Sequence, residues 1–133
     1  IVAGMGWNKS DFNLKNKVIN KIVNLNEMEK IYKNSKISLN ILRNQNFGSH
    51  NMKTFEIPAL GGLMLTKRSS EQDDFFPENK ACLMYGDDKE LVVKINKVIS
   101  KYKEFLKIKE KGYDLSKNYS YNKRAKFILS KIK

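Results

Sequence analysis

The stretch NILRNQNFGSHNMKTFEIPALGGLMLT, Asn40 to Thr66, carries the reading of the whole chain. Its start closes a segment, Lys36–Leu42, in which Ile37, Leu39 and Ile41 alternate with polar residues. That period of two predicts a strand with these three side chains on one face. A polar loop follows and delivers Gly48, Ser49, His50 and Asn51 to a predicted helix over Asn51–Leu60. Pro58 is expected to kink that helix or confine it to its first part. Gly61-Gly62 ends it. Leu63-Met64-Leu65 is then a continuous apolar run, as in a strand covered on both faces.

A loop that leaves a strand and opens a helix presents free backbone N–H groups and the positive end of the helix dipole. Such a place suits a diphosphate. Arg43 and Lys53 add positive charge beside it. Glu56 lies about one turn further in, where a carboxylate accepts bonds from two neighbouring hydroxyls, as on a ribose. Taken singly, Glu56 also reads as a first-turn glutamate that favours the helix dipole, and His50 as a loop histidine with a local hydrogen bond.

Outward from this stretch, strand-like and helix-like segments alternate, which predicts an α/β fold. Strands are expected near residues 1–5, 21–24, 36–42, 62–66 and 81–85. Asn26, with Glu29 three residues on, predicts a helix start. Ser69 or Ser70 starts a short acidic helix through Phe75. Asp87, Asp88 and Glu90 open the clearest helix, with Leu91, Ile95, Val98, Ile99, Tyr102 and Leu106 on one stripe. Gly112 reads as a break. A last helix starts near Ser120, with Tyr121, Ala125, Ile128, Leu129 and Ile132 expected on its inner face. Gly4-Met5-Gly6 fails as a dinucleotide fingerprint, because Lys9 stands where the third glycine belongs.

The 133 residues amount to one domain, with 41% hydrophobic and 11% aromatic side chains, a composition that excludes a disordered tail. One cysteine, Cys82, excludes an internal disulfide framework, and one histidine argues against a histidine-rich metal site. No apolar run approaches the roughly 18 residues of a membrane span and no signal peptide is visible, so a cytoplasmic setting is the expectation. The formal charge is +12, and residues 94–133 supply +10 of it, from 13 basic and 3 acidic side chains. Only Arg43, Arg68 and Arg124 among the 26 basic residues are arginines. Guanine and phosphate readers favour the arginine fork, so nucleic acid is the weaker partner. A solvated lysine-rich surface, or one drawn to an anionic membrane or nucleotide, fits better.

The segments Ile31-Tyr32-Lys33-Asn34-Ser35-Lys36-Ile37-Ser38-Leu39-Asn40, Gly48-Ser49-His50-Asn51-Met52-Lys53-Thr54-Phe55-Glu56-Ile57-Pro58-Ala59 and Gly61-Gly62 resemble the CgeB-like glycosyltransferases, of the spore maturation protein type. These are relatives of the group 1 glycosyltransferases with the GT-B fold. Gly112-Tyr113 and Tyr121-Asn122-Lys123-Arg124-Ala125 are similar to the family's closing helices. The likeness runs from about Ile22 to the end.

The resemblance implies a Rossmann-like parallel sheet flanked by helices: the C-terminal, donor-binding half of a GT-B enzyme. It implies transfer of a sugar, hexosyltransferase-like, from a nucleotide-diphosphate sugar to an acceptor held by an N-terminal half. The acceptor is a saccharide, lipid or protein, and no metal or other cofactor is implied. Glu56 matches the glutamate that holds the donor ribose, and Gly48, Ser49, His50 and Asn51 match the part that meets the diphosphate and sugar. Lys53, Thr54 and Arg43 complete the implied donor-binding set. Lys53 stands where relatives often carry arginine. The wider group's second glutamate, eight positions before the ribose-binding one, is Gly48 here, so no catalytic residue is carried over. The family's first strand and its basic loop precede the segment matched to Ile1–Met5, so residues 1–133 are expected to be a donor domain incomplete at its N-terminus and inactive alone. The alternative is a non-catalytic basic module that binds nucleic acid or an anionic membrane surface.

Overall fold

The structure is a computed structural model that describes residues 1–3, 5, 17–42 and 48–132. In chain order the elements are β1 (Val2–Ala3), β2 (Val18–Ile19), α1 (Leu25–Asn34), β3 (Ser38–Asn40), α2 (Lys53–Ala59), β4 (Met64–Lys67), α3 (Ser70–Phe75), β5 (Leu83–Tyr85), α4 (Asp88–Ser100), α5 (Leu106–Ser116) and α6 (Tyr121–Lys131), with 3-10 turns at Tyr102–Phe105 and Lys117–Tyr119. All pairing is parallel: β1 with β2, and β3-β4-β5 as a three-stranded sheet with β4 central. This is the expected α/β architecture, a parallel sheet with helices on both faces.

Alternation along β4 and β5 feeds two cores. Leu63, Leu65, Leu83 and Tyr85 face α4, where Val98, Leu91 and Ile95 meet them together with Phe105 and Tyr102. Met64, Cys82 and Met84 face the other way, against Ile57 of α2, Phe76, Tyr119 and Leu115. Side chains buried on both faces explain the uninterrupted apolar runs in these strands.

Several expectations shift. The strand read near 21–24 is β2 at Val18–Ile19, and residues 21–24 lead into α1. The helix start read at Asn26 lies two residues earlier. Asn24 Oδ1 accepts from Glu27 N at 3.0 Å, and Glu27 Oε2 accepts from Asn24 N at 3.2 Å. Lys21 Nζ, 2.5 Å from Glu27 Oε1, fastens this register. The stripe read through Leu106 is interrupted, because α4 stops at Ser100 and Ile99 and Leu106 are exposed. Gly112 is no break: it lies buried inside α5, against the carbonyl of Ala81.

The alternation of β3 holds, and its more buried face is the polar one. Ser38 and Asn40 are buried, whereas Leu39 and Ile41 are 41% and 65% exposed. Asn40 shares its face with Thr66 and Met64, the face covered by α2. There its amide is fully bonded, so burial costs little. On the opposite face Ile37 packs against the cluster under α4, while Leu39 and Ile41 lie beyond that cover.

The carboxyl end of the sheet is tied by charge. The Arg68 guanidinium forks onto Glu78 (2.9 and 2.9 Å) and onto Glu90 (3.0 and 2.8 Å). Lys94 Nζ reaches Glu78 at 2.6 Å and Glu90 at 3.0 Å, and also donates to the Met84 carbonyl. The Arg68 bonds first, then the Gly86 N–H at Glu90 and Lys94 at both, hold the two carboxyls below the usual carboxylate range. A depressed carboxyl contributes stability that is complete above the ordinary value of 4.5 and is lost as pH falls through the folded value. Acid unfolding is therefore expected to set in below that value. Arg68→Ala should flatten this acid limb and, because Arg68 is partly solvent-facing, cost on the order of 1–2 kcal/mol at neutral pH. Urea midpoints measured across pH check both; an unchanged acid limb would remove the network from the account.

Candidate functional site

Parallel pairing of β3 with β4 brings the carboxyl ends of two strands together, at Asn40 and Thr66. The segments that follow them meet above this edge. After β3, Gly48 adopts φ +83°, a left-handed turn that a glycine accepts without strain. Asn51 then closes on α2. Its Oδ1 accepts from Thr54 N at 3.2 Å, its Nδ2 donates to Asn40 Oδ1 at 2.9 Å, and its own N–H donates to Thr54 Oγ1 at 3.3 Å. Asn40 Nδ2 donates to Thr54 Oγ1 at 3.3 Å, so the buried Asn40 and Thr54 hold the loop by three-way hydrogen bonding. This makes Asn51 and Thr54 scaffold for the loop's backbone.

After β4, Ser69 starts α3 by accepting from Gln72 N at 3.2 Å, and its hydroxyl also donates to the Ser49 carbonyl at 3.1 Å. Glu71 crosses to the first loop. Its Oε2 accepts from Ser49 Oγ at 2.7 Å and lies 2.7 Å from His50 Nδ1, so the tautomer with Nδ1–H donates to it. The Ser49 hydroxyl first, and His50 second, hold the Glu71 carboxyl below the usual range. The imidazole stands edge-on to Phe55 and Phe75, with centroids 5.4 and 5.0 Å away. Its Nε2 has no hydrogen-bond partner among the described residues.

Glu56 sits in the first turn of α2, half-buried, with its backbone inside the helix. Its carboxylate makes no hydrogen bond or ion pair among the described residues. Lys53 Nζ turns back toward α1 and lies 3.4 Å from Tyr32 OH. Pro58 falls in the last turn of α2, which ends in a Schellman motif: Gly62 N donates to Ile57 O at 2.8 Å and Gly61 N to Pro58 O at 2.9 Å, with Gly61 at φ +73°. The helix runs Lys53–Ala59, shorter at its start than Asn51–Leu60.

The structure thus ties Ser49 and His50 to Glu71, ties Asn51 and Thr54 to Asn40, sets Gly48 at the turn of the same loop, and places Lys53 and Glu56 on the adjoining helix. Arg43 lies outside the described residues, as do Gly4, Gly6 and Lys9. Sequence reasoning missed Glu71, Ser69 and Asn40. The available signal was the pair of polar segments directly after two neighbouring parallel strands, which the topology must bring together. A groove of about 610 Å³ lies elsewhere, at the other end of α2, lined by Glu29, Lys33, Gly61, Lys109 and Tyr113 among others; none of the expected site residues lines it. Among the described residues no group of three or more His, Cys, Asp or Glu is placed to hold a metal ion, and no helix is long and apolar enough to cross a membrane.

No curated protein and no solved structure matches this chain. The glycosyl transferase-like family matches residues 1–130, nearly its whole length. An α/β domain whose polar loops gather at the carboxyl ends of parallel strands suits such a match, and the chain belongs to the glycosyl transferase-like family.

Proposed function

We propose that this chain is the donor-binding domain of a CgeB-like, GT-B glycosyltransferase. It takes a nucleotide-diphosphate sugar and works with an acceptor-binding half. The observation that carries the reading is Glu56: a half-buried carboxylate, unpaired among the described residues, one turn into the helix that follows the Gly48–Asn51 loop. A two-point acceptor of this kind suits the neighbouring hydroxyls of a ribose, and no protein donor among the described residues competes for it.

In this reading the nucleotide lies over α2 with its ribose on Glu56, and the diphosphate lies over the Gly48–Asn51 loop. As the glycosidic bond breaks, negative charge grows on the diphosphate. Loop N–H groups, and Lys53 once it leaves Tyr32, supply the compensating donors without a metal, while His50, its Nδ1–H held by Glu71, offers Nε2 as an acceptor to a sugar hydroxyl. Glu56 positions the nucleotide and takes no proton.

Calorimetric titration of nucleotides and nucleotide sugars tests this. Glu56→Ala is expected to weaken donor binding by about 1.5–3 kcal/mol, roughly 10- to 150-fold, because a charged hydrogen-bond acceptor is removed. Equal affinity in wild type and variant would sink the assignment of Glu56.

A further inference from the structure

α6 differs from every other helix of the fold in how it is covered. Each of its residues is exposed, whereas α1, which also lacks a fully buried residue, keeps Ile31 and Tyr32 half-buried. Tyr121, Ile128 and Leu129 are 82%, 51% and 66% exposed, and Ile132, just past its end, is 73% exposed. These residues and Ala125 share a stripe about 100° wide at helical spacing. Lys123, Arg124, Lys126 and Lys131 occupy the remaining circumference, with Phe127 among them, and α6 carries no acidic side chain. Its contacts run to the turn at Lys117–Tyr119 that leads into it. The stripe on α4, by contrast, is spent on β4 and β5, where Val98 is fully buried.

We propose that α6 is a docking helix for an anionic phospholipid surface. The apolar stripe enters the boundary between headgroups and acyl chains, and the four cations meet lipid phosphates. Charge selects this occupant. A second copy of α6 would set four cations against four. A nucleic acid answers the cations but offers an apolar stripe little, and α6 holds a single arginine for it. An anionic bilayer answers both faces of the helix at once.

Co-sedimentation of the full chain with phosphatidylcholine vesicles, and with vesicles of mixed phosphatidylcholine and phosphatidylglycerol, tests the proposal. Binding is expected to the anionic vesicles only. Lys123→Gln with Arg124→Gln should cut the partition coefficient roughly 30-fold, at about fivefold per charge. Ile128→Ser with Leu129→Ser should abolish vesicle binding while leaving every charge in place. Neither pair touches the core, so unchanged circular dichroism and thermal midpoint serve as the folding control. Equal binding to neutral vesicles, no binding to anionic ones, or indifference to the Ile128/Leu129 pair would each overturn it. So would a dimer in light scattering that the same pair dissolves, or tighter binding to a single-stranded oligonucleotide at matched salt.

Discussion

Replacing Gly112 by valine is expected to cost the fold at least about 3 kcal/mol, above the ordinary range for overpacking because the obstructing atom belongs to the main chain. A Cβ at this position would stand 2.5 Å from the Ala81 carbonyl oxygen and 3.6 Å from Pro58 Cβ. The carbonyl cannot swing aside as a side chain does, since Ala81 leads directly into β5. Relief would require α5 to rise off α2, against which it packs along its length. The thermal midpoint should fall on the order of 10 °C for a domain of this size. Gly112→Ala should sit between, because the same collision is partly offset by about 1 kcal/mol of helix propensity. A midpoint within a couple of degrees of wild type for the valine variant would mean that α5 slides freely, and the account of Gly112 would be wrong.

The second large effect is expected from Phe76→Ala, at about 3–5 kcal/mol. Phe76 is completely buried and joins the cluster formed by Ile57, Met64, Met84 and Cys82. Its ring stands 6.0 Å from Phe55 and 5.7 Å from Tyr119, which also face Phe75. The cavity would open beneath the aromatic wall against which His50 leans. Urea titration should show the stability loss. Donor titration should show a smaller secondary weakening, although Phe76 itself is far too buried to touch a ligand. A loss under about 1.5 kcal/mol would show that the wall collapses into the space, as well-relaxing sites do.

The legible parts of this fold were those where one residue type does one job. Leu63-Met64-Leu65 and the run at Cys82–Tyr85 read as strands because both faces need apolar side chains. Asp87 read as a helix start because its carboxylate is the cap, accepting from Glu90 N at 2.9 Å. Other places offered two answers. Asn24 with Glu27 and Asn26 with Glu29 are the same pattern in two registers, and only Lys21, reaching Glu27 from outside the pattern, separates them. Alternation in β3 showed a strand but not its phase. Asn40 turns inward because Asn51 and Thr54, 11 and 14 residues later, complete its hydrogen bonds. In the candidate site, Gly48–Asn51 were legible as a strand-to-helix loop. Glu71 was not, because its meeting with Ser49 and His50 depends on which strands are neighbours. The stripe on α6 told of amphipathicity and could not tell what faces it.

Cys82 has a consequence of its own. The thiol is sealed within the cluster around Phe76, donates to the Phe76 carbonyl at 3.0 Å, and is pushed up to about 12 by burial first and the nearby Glu78 and Asp73 carboxylates second. A thiol in that state offers almost no thiolate to an alkylating agent or a disulfide. The folded domain is accordingly indifferent to the redox poise around it. Once the cluster opens, the same sulfur becomes an ordinary reactive cysteine, and it is the only one in the chain. A covalent mark on it records that the core has opened, so the fraction of marked molecules in a population reports how readily the core comes apart.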